Sequence, residues 1–337
     1  MATSYKSPRI TTPCRLTDAA GRLNPGAVGW TTQPLHDTSR IGHGRVGFGR
    51  NKRWEYWAVT TPDHVVALTI SSIDYAGVNN LWILDRRAGL EINQDAVTPF
   101  GRGVTLPGSL DDGPATFRSN KLDITITPLG GATRLQARGD RIGLDIVAGL
   151  SEGHERLGVV VPWSERLFQY TVKDVARPAT GSLIIDGAEH HLPDGRSWAT
   201  LDHGRGRWPR STTWNWGAGS GRSDGHVIGI QVGGRWTDGT GATENSLLVD
   251  DRLTKIGQLS WTYDQDDWRA PWRVRGPGID LTFTVEHVRH AATDLKVIRS
   301  RTWQCFGAWS GSVTDVDGHL YGVDDIFGWV EHVEQLW

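Results

Sequence analysis

Several short motifs recur in the same order along the two halves of the chain, and this internal repeat limits the architecture more than any other feature. His43-Gly44-Arg45 precedes Trp54 and Trp57 as His203-Gly204-Arg205 precedes Trp214 and Trp216, with eleven residues from His to first Trp in both. His64 to Leu68 matches His226 to Ile230, and Asn80 to Asp85 matches Asn245 to Asp250. Leu122 to Thr127 resembles Ile279 to Thr284, and Thr180-Gly181-Ser182-Leu183 before Asp186-Gly187 resembles Ser310-Gly311-Ser312-Val313 before Asp317-Gly318. A chain of 337 residues also exceeds the roughly 250–300 at which one core stops growing. The matches predict an extended, partly mobile lead-in at 1–24 and two domains, 25–190 and 191–337.

The class of both units follows from their punctuation. With 42 glycines, runs of Val, Ile, Thr and Trp alternate with tight-turn residues such as Thr61-Pro62-Asp63. Trp54 to Val59, His64 to Ile70, Asn80 to Asp85, Gly143 to Ala148, Gly158 to Pro162, Phe168 to Lys173 and Gly181 to Asp186 read as strands. Helical periodicity is scarce, its best candidates being Asp250 to Ile256 and Asp325 to Trp337. Two tandem antiparallel all-β units, curled into closed or nearly closed barrels that abolish free edges, satisfy this pattern.

Composition excludes several partners. Lys plus Arg number 36 and Asp plus Glu 38, without a long run of one sign, so neither a nucleic-acid footprint nor a polybasic membrane patch is expected. No eighteen consecutive apolar residues occur, and the first 25 residues lack a signal-peptide core, which reads as a soluble, cytoplasmic protein. Cys14 and Cys305 fit no disulfide framework or metal spacing. Gly-x-Ser-x-Gly, a Walker loop and a Rossmann fingerprint are absent, and no cofactor or metal is expected. Asp264-Gln265-Asp266-Asp267 lacks the spacing of a calcium loop and reads as a solvated turn, and Glu189-His190-His191, beside the turn Pro193-Asp194-Gly195, reads as an exposed loop rather than a ligand set.

The stretch Asp202-His203-Gly204-Arg205-Gly206-Arg207-Trp208, continuing to Trp214 and Trp216, concentrates acid, imidazole, guanidinium and indole. Features that only one copy carries are the better functional candidates, and Asp202 and Glu244 are such features: the first copy has Gly42 and Asn79 at the matched places. In an apolar surrounding burial raises a carboxyl pKa while a neighbouring guanidinium lowers it, so Asp202 can serve as an acid or stand in a buried salt bridge. Alternation along a strand puts Asp202, Gly204 and Gly206 on one face and His203, Arg205 and Arg207 on the other, which argues against a simple Asp–His dyad. Arg205 and Arg207 either tune the site or plug a barrel end.

The runs Leu201 to Pro209, Trp214-Asn215-Trp216, Thr243-Glu244-Asn245, Pro271-Trp272-Arg273 and Leu281-Thr282-Phe283 resemble domain-of-unknown-function family 2804 (DUF2804). That family is distantly similar to the double-calycin group of two lipocalin-like barrels, with carotenoid hydratases, kievitone hydratase, tocopherol cyclase and fungal Diels–Alderases. The resemblance implies two tandem calycin-like barrels. Asp202 and His203 fit an Asp-His-Glu-Trp run of the carotenoid hydratases, whereas Gly204 and Arg205 depart from it.

Seventeen tryptophans, thirteen of them after residue 162, suit an apolar pocket that stabilises developing cations. The expected activity is cofactor-free acid–base chemistry, a hydration, cyclisation or isomerisation, on an isoprenoid, lipid or polyketide. Asp202 would be the acid, Glu244 or His203 the proton acceptor, Arg205 and Arg207 the tuning charges, and Trp208, Trp214 and Trp216 the walls. Two other readings stay open: a carrier of a lipid or pigment, and a carbohydrate-active enzyme with Asp202 and Glu244 about 5–9.5 Å apart across a groove.

Overall fold

A computed structural model describes residues 7–294 and 299–337; the first six residues of the expected lead-in lie outside the described residues. Strands carry the fold, and among the described residues the 3-10 turn Pro25–Ala27 is the only helical element. One antiparallel path runs Leu90–Pro99, Ala76–Asp85, His64–Ser72, Asn51–Thr60, Trp198–Arg207, Phe168–Ile185, Ile142–Gly149, Ala132–Arg138, Asp123–Pro128 and Ala115–Arg118, ending at Val104–Thr105. The second runs Arg252–Lys255, Ser246–Val249, His226–Gly234, Ser211–Ser223, Leu320–Leu336, Arg299–Thr314, Ile279–Asp294, Trp272–Gly276 and Ser260–Thr262. In each, the last strand returns to pair with the first, Trp198–Arg207 with Asn51–Thr60 and Leu320–Leu336 with Ser211–Ser223. Each sheet therefore curls around its own core, and the two sheets are the repeated calycin-like units.

The Asp202 strand, Trp198–Arg207, belongs to the first sheet and closes it, and Trp208-Pro209-Arg210 links it to Ser211–Ser223 of the second. Neither segment with the best helical periodicity is a helix: Arg252–Lys255 within Asp250 to Ile256 is a strand, and Asp325 to Leu336 belongs to the strand Leu320–Leu336. The latter is buried on both faces from Gly328 to Val333, which hides its period of two. The lead-in is packed where described: Leu16 and Leu23 join Ile41, Val160 and Phe168 in one cluster, and Cys14–Arg15 pairs with His36–Asp37.

Registers also identify which repeat positions are equivalent. Asn79 accepts the backbone N–H of Ser71 at 3.2 Å, and Asn245 that of Gly233 at 2.6 Å. Ser71 stands opposite Trp54 and Gly233 opposite Trp216, so Trp54 corresponds to Trp216 rather than to Trp214. The His43-Gly44-Arg45 likeness dissolves, since it occupies turns before Asn51–Thr60 while His203-Gly204-Arg205 lies in a closing strand. Gly181 and Gly311 have φ of 126° and 138°, and a Cβ on either would strike a neighbouring carbonyl, of Asp145 or Asp280. That shared close approach equates Ile279–Asp294 with Ile142–Gly149; Leu122-Asp123-Ile124 is a local mimic of Leu144-Asp145-Ile146.

Alternation gives the central strands two buried faces. Trp57, Ile83, Phe117 and Leu201 fill the first sheet's interior, and Trp272, Phe283 and Trp309 the second's. Ala58, Trp82 and Leu84 point outward against Trp216, Phe306 and Trp329, with Trp82 stacked on Phe306 at 5.1 Å, so the sheets pack outer face to outer face.

A buried ionic staple crosses this junction. His154 joins Asp174 at 2.8 Å and Asp251 at 2.6 Å, and Arg177 joins Asp174 at 2.7 Å. Burial opposes the imidazolium, but its two carboxylates outweigh burial and raise the His154 pKa above the ordinary 6.5. Its stabilisation is complete below 6.5 and is lost as pH rises through the raised value. His154→Gln should therefore cost about 3 kcal/mol near pH 6, in chemical denaturation, and distinctly less in alkali.

Candidate functional site

Between the sheets, at one end of the junction, lies a cavity of about 450 Å³. Its walls come from the outward-facing residues of both units: Lys52, Trp54 and Tyr56 from one opening strand, Trp214 and Trp216 from the other. Trp208 is the hub of the indole wall, stacked on Trp236 at 5.4 Å and edge-on to Trp54, Trp163, Trp214 and Trp337 at 5.1–6.1 Å. Its indole N–H donates to Gln169 at 2.7 Å.

The polar end is set by strand register. Lys173, Asp202 and Tyr56 lie side by side on three adjacent strands. The Lys173 ammonium is 3.0 Å from Asp202 and 3.0 Å from Glu244, and 4.4 Å from the centre of the Trp216 ring. Thr171 donates to Asp202 at 3.0 Å, and the Trp236 indole donates to Glu244. Burial works against the Lys173 ammonium, yet Asp202 and Glu244 together hold it above its ordinary range. Burial pushes Glu244 up, with Lys173 and the indole opposing.

Glu331 faces the same space from the closing strand of the second sheet. It accepts the Trp214 indole N–H at 2.8 Å and makes no ion pair with a basic side chain among the described residues. Burial pushes its pKa up to about 7, with the Trp214 hydrogen bond and Lys173 opposing and the neighbouring carboxylates adding. The cavity thus offers, on largely apolar walls, a carboxyl that exchanges its proton near neutrality and a carboxylate pair held by an ammonium.

The DUF2804 family model, a domain of unknown function, matches residues 7–337. The chain belongs to this family. No curated protein matches it by sequence. Among solved structures it is similar to kievitone hydratase from Nectria haematococca, with a TM-score of 0.53 and 10% identity over 91% of this chain and 94% of that one. It is also similar to CghA, at a TM-score of 0.54 and 11% identity over 86% and 88% of the two chains. CghA solved with Sch210972 gives a TM-score of 0.55 and 12% identity over 100% and 96%. At such identities the likeness is one of fold, shared by this DUF2804 chain across both units.

Of the residues singled out in this DUF2804 sequence, Asp202, Glu244, Trp208, Trp214 and Trp216 all line the cavity. His203, Arg205 and Arg207 do not, because they point to the opposite face of their strand. His203 is fully buried 3.7 Å from Glu55, and burial with Arg205 brings its pKa down to about 4, so it stays neutral. Arg205 donates to the carbonyls of Trp54 and Pro107 and pairs with Glu55 at 3.3 Å; Arg207 donates to Asn51 and to the Gly21 carbonyl. Both guanidiniums tie strands and loops together on that face. Asp264 and Asp267 cap an exposed turn through backbone N–H groups, and Ala188–His191 is an exposed edge strand. Between Asp202 and Glu244, the pair on which a carbohydrate-active reading would rest, stands the Lys173 ammonium, 3.0 Å from each.

Lys173 and Glu331 went unnoticed in the sequence. Their signal was a charge inside an apolar run, Tyr170-Thr171-Val172-Lys173 and Trp329-Val330-Glu331. Gly204 has a structural reason to be present: any Cβ there would collide with the Trp54 ring. Gly204→Ala should cost about 1–3 kcal/mol in denaturant unfolding and shift tryptophan emission, because a rigid indole cannot yield as a flexible side chain would.

Proposed function

We propose that this protein binds an apolar small molecule, an isoprenoid, lipid or polyketide, between its two units and acts on it by acid–base chemistry of its own side chains: hydration, cyclisation or isomerisation. The observation that carries the reading is a carboxyl with a pKa near 7, Glu331, facing the Lys173-bridged carboxylates across an indole-lined cavity. The fold, one that kievitone hydratase also uses, accommodates such a role.

The division of labour follows from the partners. Glu331, which makes no ion pair among the described residues, is the proton donor. Asp202, ion-paired to Lys173 and receiving the Thr171 hydroxyl, accepts a proton or orients water. This moves the acid from Asp202, where the sequence put it, to Glu331. Glu244 fixes the Lys173 ammonium, and Trp54, Trp214 and Trp216 present π faces to positive charge that develops on the substrate.

Because the donor must be protonated, turnover should decline as pH rises through about 7. Glu331→Gln should lower turnover by about 10²–10⁴-fold, with that descending limb gone, and Asp202→Asn by a similar factor. The first test is native mass spectrometry after exposure to a cell extract. An apolar ligand held unreacted by both variants, where wild type yields a changed species, is the expected result. The same unchanged ligand in all three proteins would make the protein a carrier.

A further inference from the structure

The cavity has a second charged end that the proton-transfer scheme does not use. Lys52 lines it from the same strand face as Trp54 and Tyr56, is 1% exposed, and its ammonium has no hydrogen bond or ion pair among the described residues. It sits instead near two aromatic rings, 4.8 Å from the Tyr75 centroid and 4.9 Å from that of Trp337. Asp74, the nearby acid, is engaged elsewhere, accepting the backbone N–H groups of Gly49 and Asn51. A buried ammonium lined up on an apolar cavity without an oxygen partner is a standing cost that a ligand oxyanion would relieve.

We infer that Lys52 anchors an acidic headgroup, so the ligand is an apolar molecule ending in a carboxylate or comparable oxyanion. The inference rests on the cavity being the binding site. Flanking aromatic rings favour the charged form of Lys52, and although burial lowers its pKa to about 8, it remains mostly cationic at neutrality. At the other end the Lys173 ammonium is already taken up by two carboxylates, Asp202 and Glu244, so the balance of charge there is negative and repels an acid. A single orientation results, headgroup on Lys52 and reacting atoms at Asp202 and Glu331. Lys52 is four residues from Tyr56, the residue opposite Asp202, so headgroup and reacting centre lie on the order of 13 Å apart along the strand.

The test uses 2-naphthylacetate and its neutral isostere 2-naphthylacetamide, titrated calorimetrically into wild type and Lys52→Met, which keeps the apolar stem. Wild type should bind the acid at least about tenfold more tightly than the amide, because the amide leaves the buried ammonium without a charge partner. Lys52→Met should bind both as wild type binds the amide. Equal affinities in wild type, or an acid preference surviving in Lys52→Met, would overturn the anchor and leave the cavity reading intact. Failure of folded wild type to bind either compound would remove the cavity reading and the anchor together.

Discussion

The site depends on one ammonium placed where two carboxylates from different units must meet. Lys173 and Asp202 come from the first sheet, and Glu244 from the segment leading into the Ser246–Val249 strand of the second. Desolvating an ion costs several kcal/mol, and the cost is offset only where charges pair at close range with their remaining lone pairs engaged. Here Thr171 and the Trp236 indole supply those extra bonds. The cluster therefore fixes how the second unit sits on the first, and loss of any member strands the others in an apolar junction.

Strand alternation then divides the Asp202 to Arg207 run into two functions. On the cavity side stand Asp202 and two glycines; on the other stand His203, Arg205 and Arg207, which stitch the first sheet to its loops. The glycines are emptiness with a purpose: at Gly204 the Trp54 ring, and at Gly206 the Gln169 side chain that orients Trp208, take the space a Cβ would need. A run dense in chemistry owes only its alternate residues to the cavity, the rest to the fold.

This explains what could be read in advance. The all-β class and the opposed faces of the Asp202 strand follow from glycine punctuation and period two, and the duplication from short motifs recurring in order, all of which are local. The register between copies does not, because short motifs such as Leu-Asp-Ile recur by chance, and only the Asn79 and Asn245 side-chain bonds and the Gly181 and Gly311 close approaches identify true equivalents. Lys173 and Glu331 escaped because a charge within an apolar strand is meaningful only once its partner across the junction is known. Glu244 was singled out against Asn79, whereas its actual counterpart is Val78.

That corrected alignment shows why the cavity lies between the units and not inside one. Both interiors are filled by large side chains, Trp57 and Phe117 in the first and Trp272 and Trp309 in the second. The row Val78, Ser71, Trp54, Gly204 in one unit corresponds to Glu244, Gly233, Trp216, Glu331 in the other, and both rows face the cavity side of the junction. The differences are complementary. Where the first unit has a serine and a valine, the second has Gly233 making room for the Glu244 carboxylate, since a Cβ there would strike it. Where the first has Gly204 beneath Trp54, the second carries Glu331. The first unit supplies Trp54 and the Lys173–Asp202 pair, and the second supplies Trp214, Trp216 and the two glutamates, so neither row alone assembles an acid opposite a base.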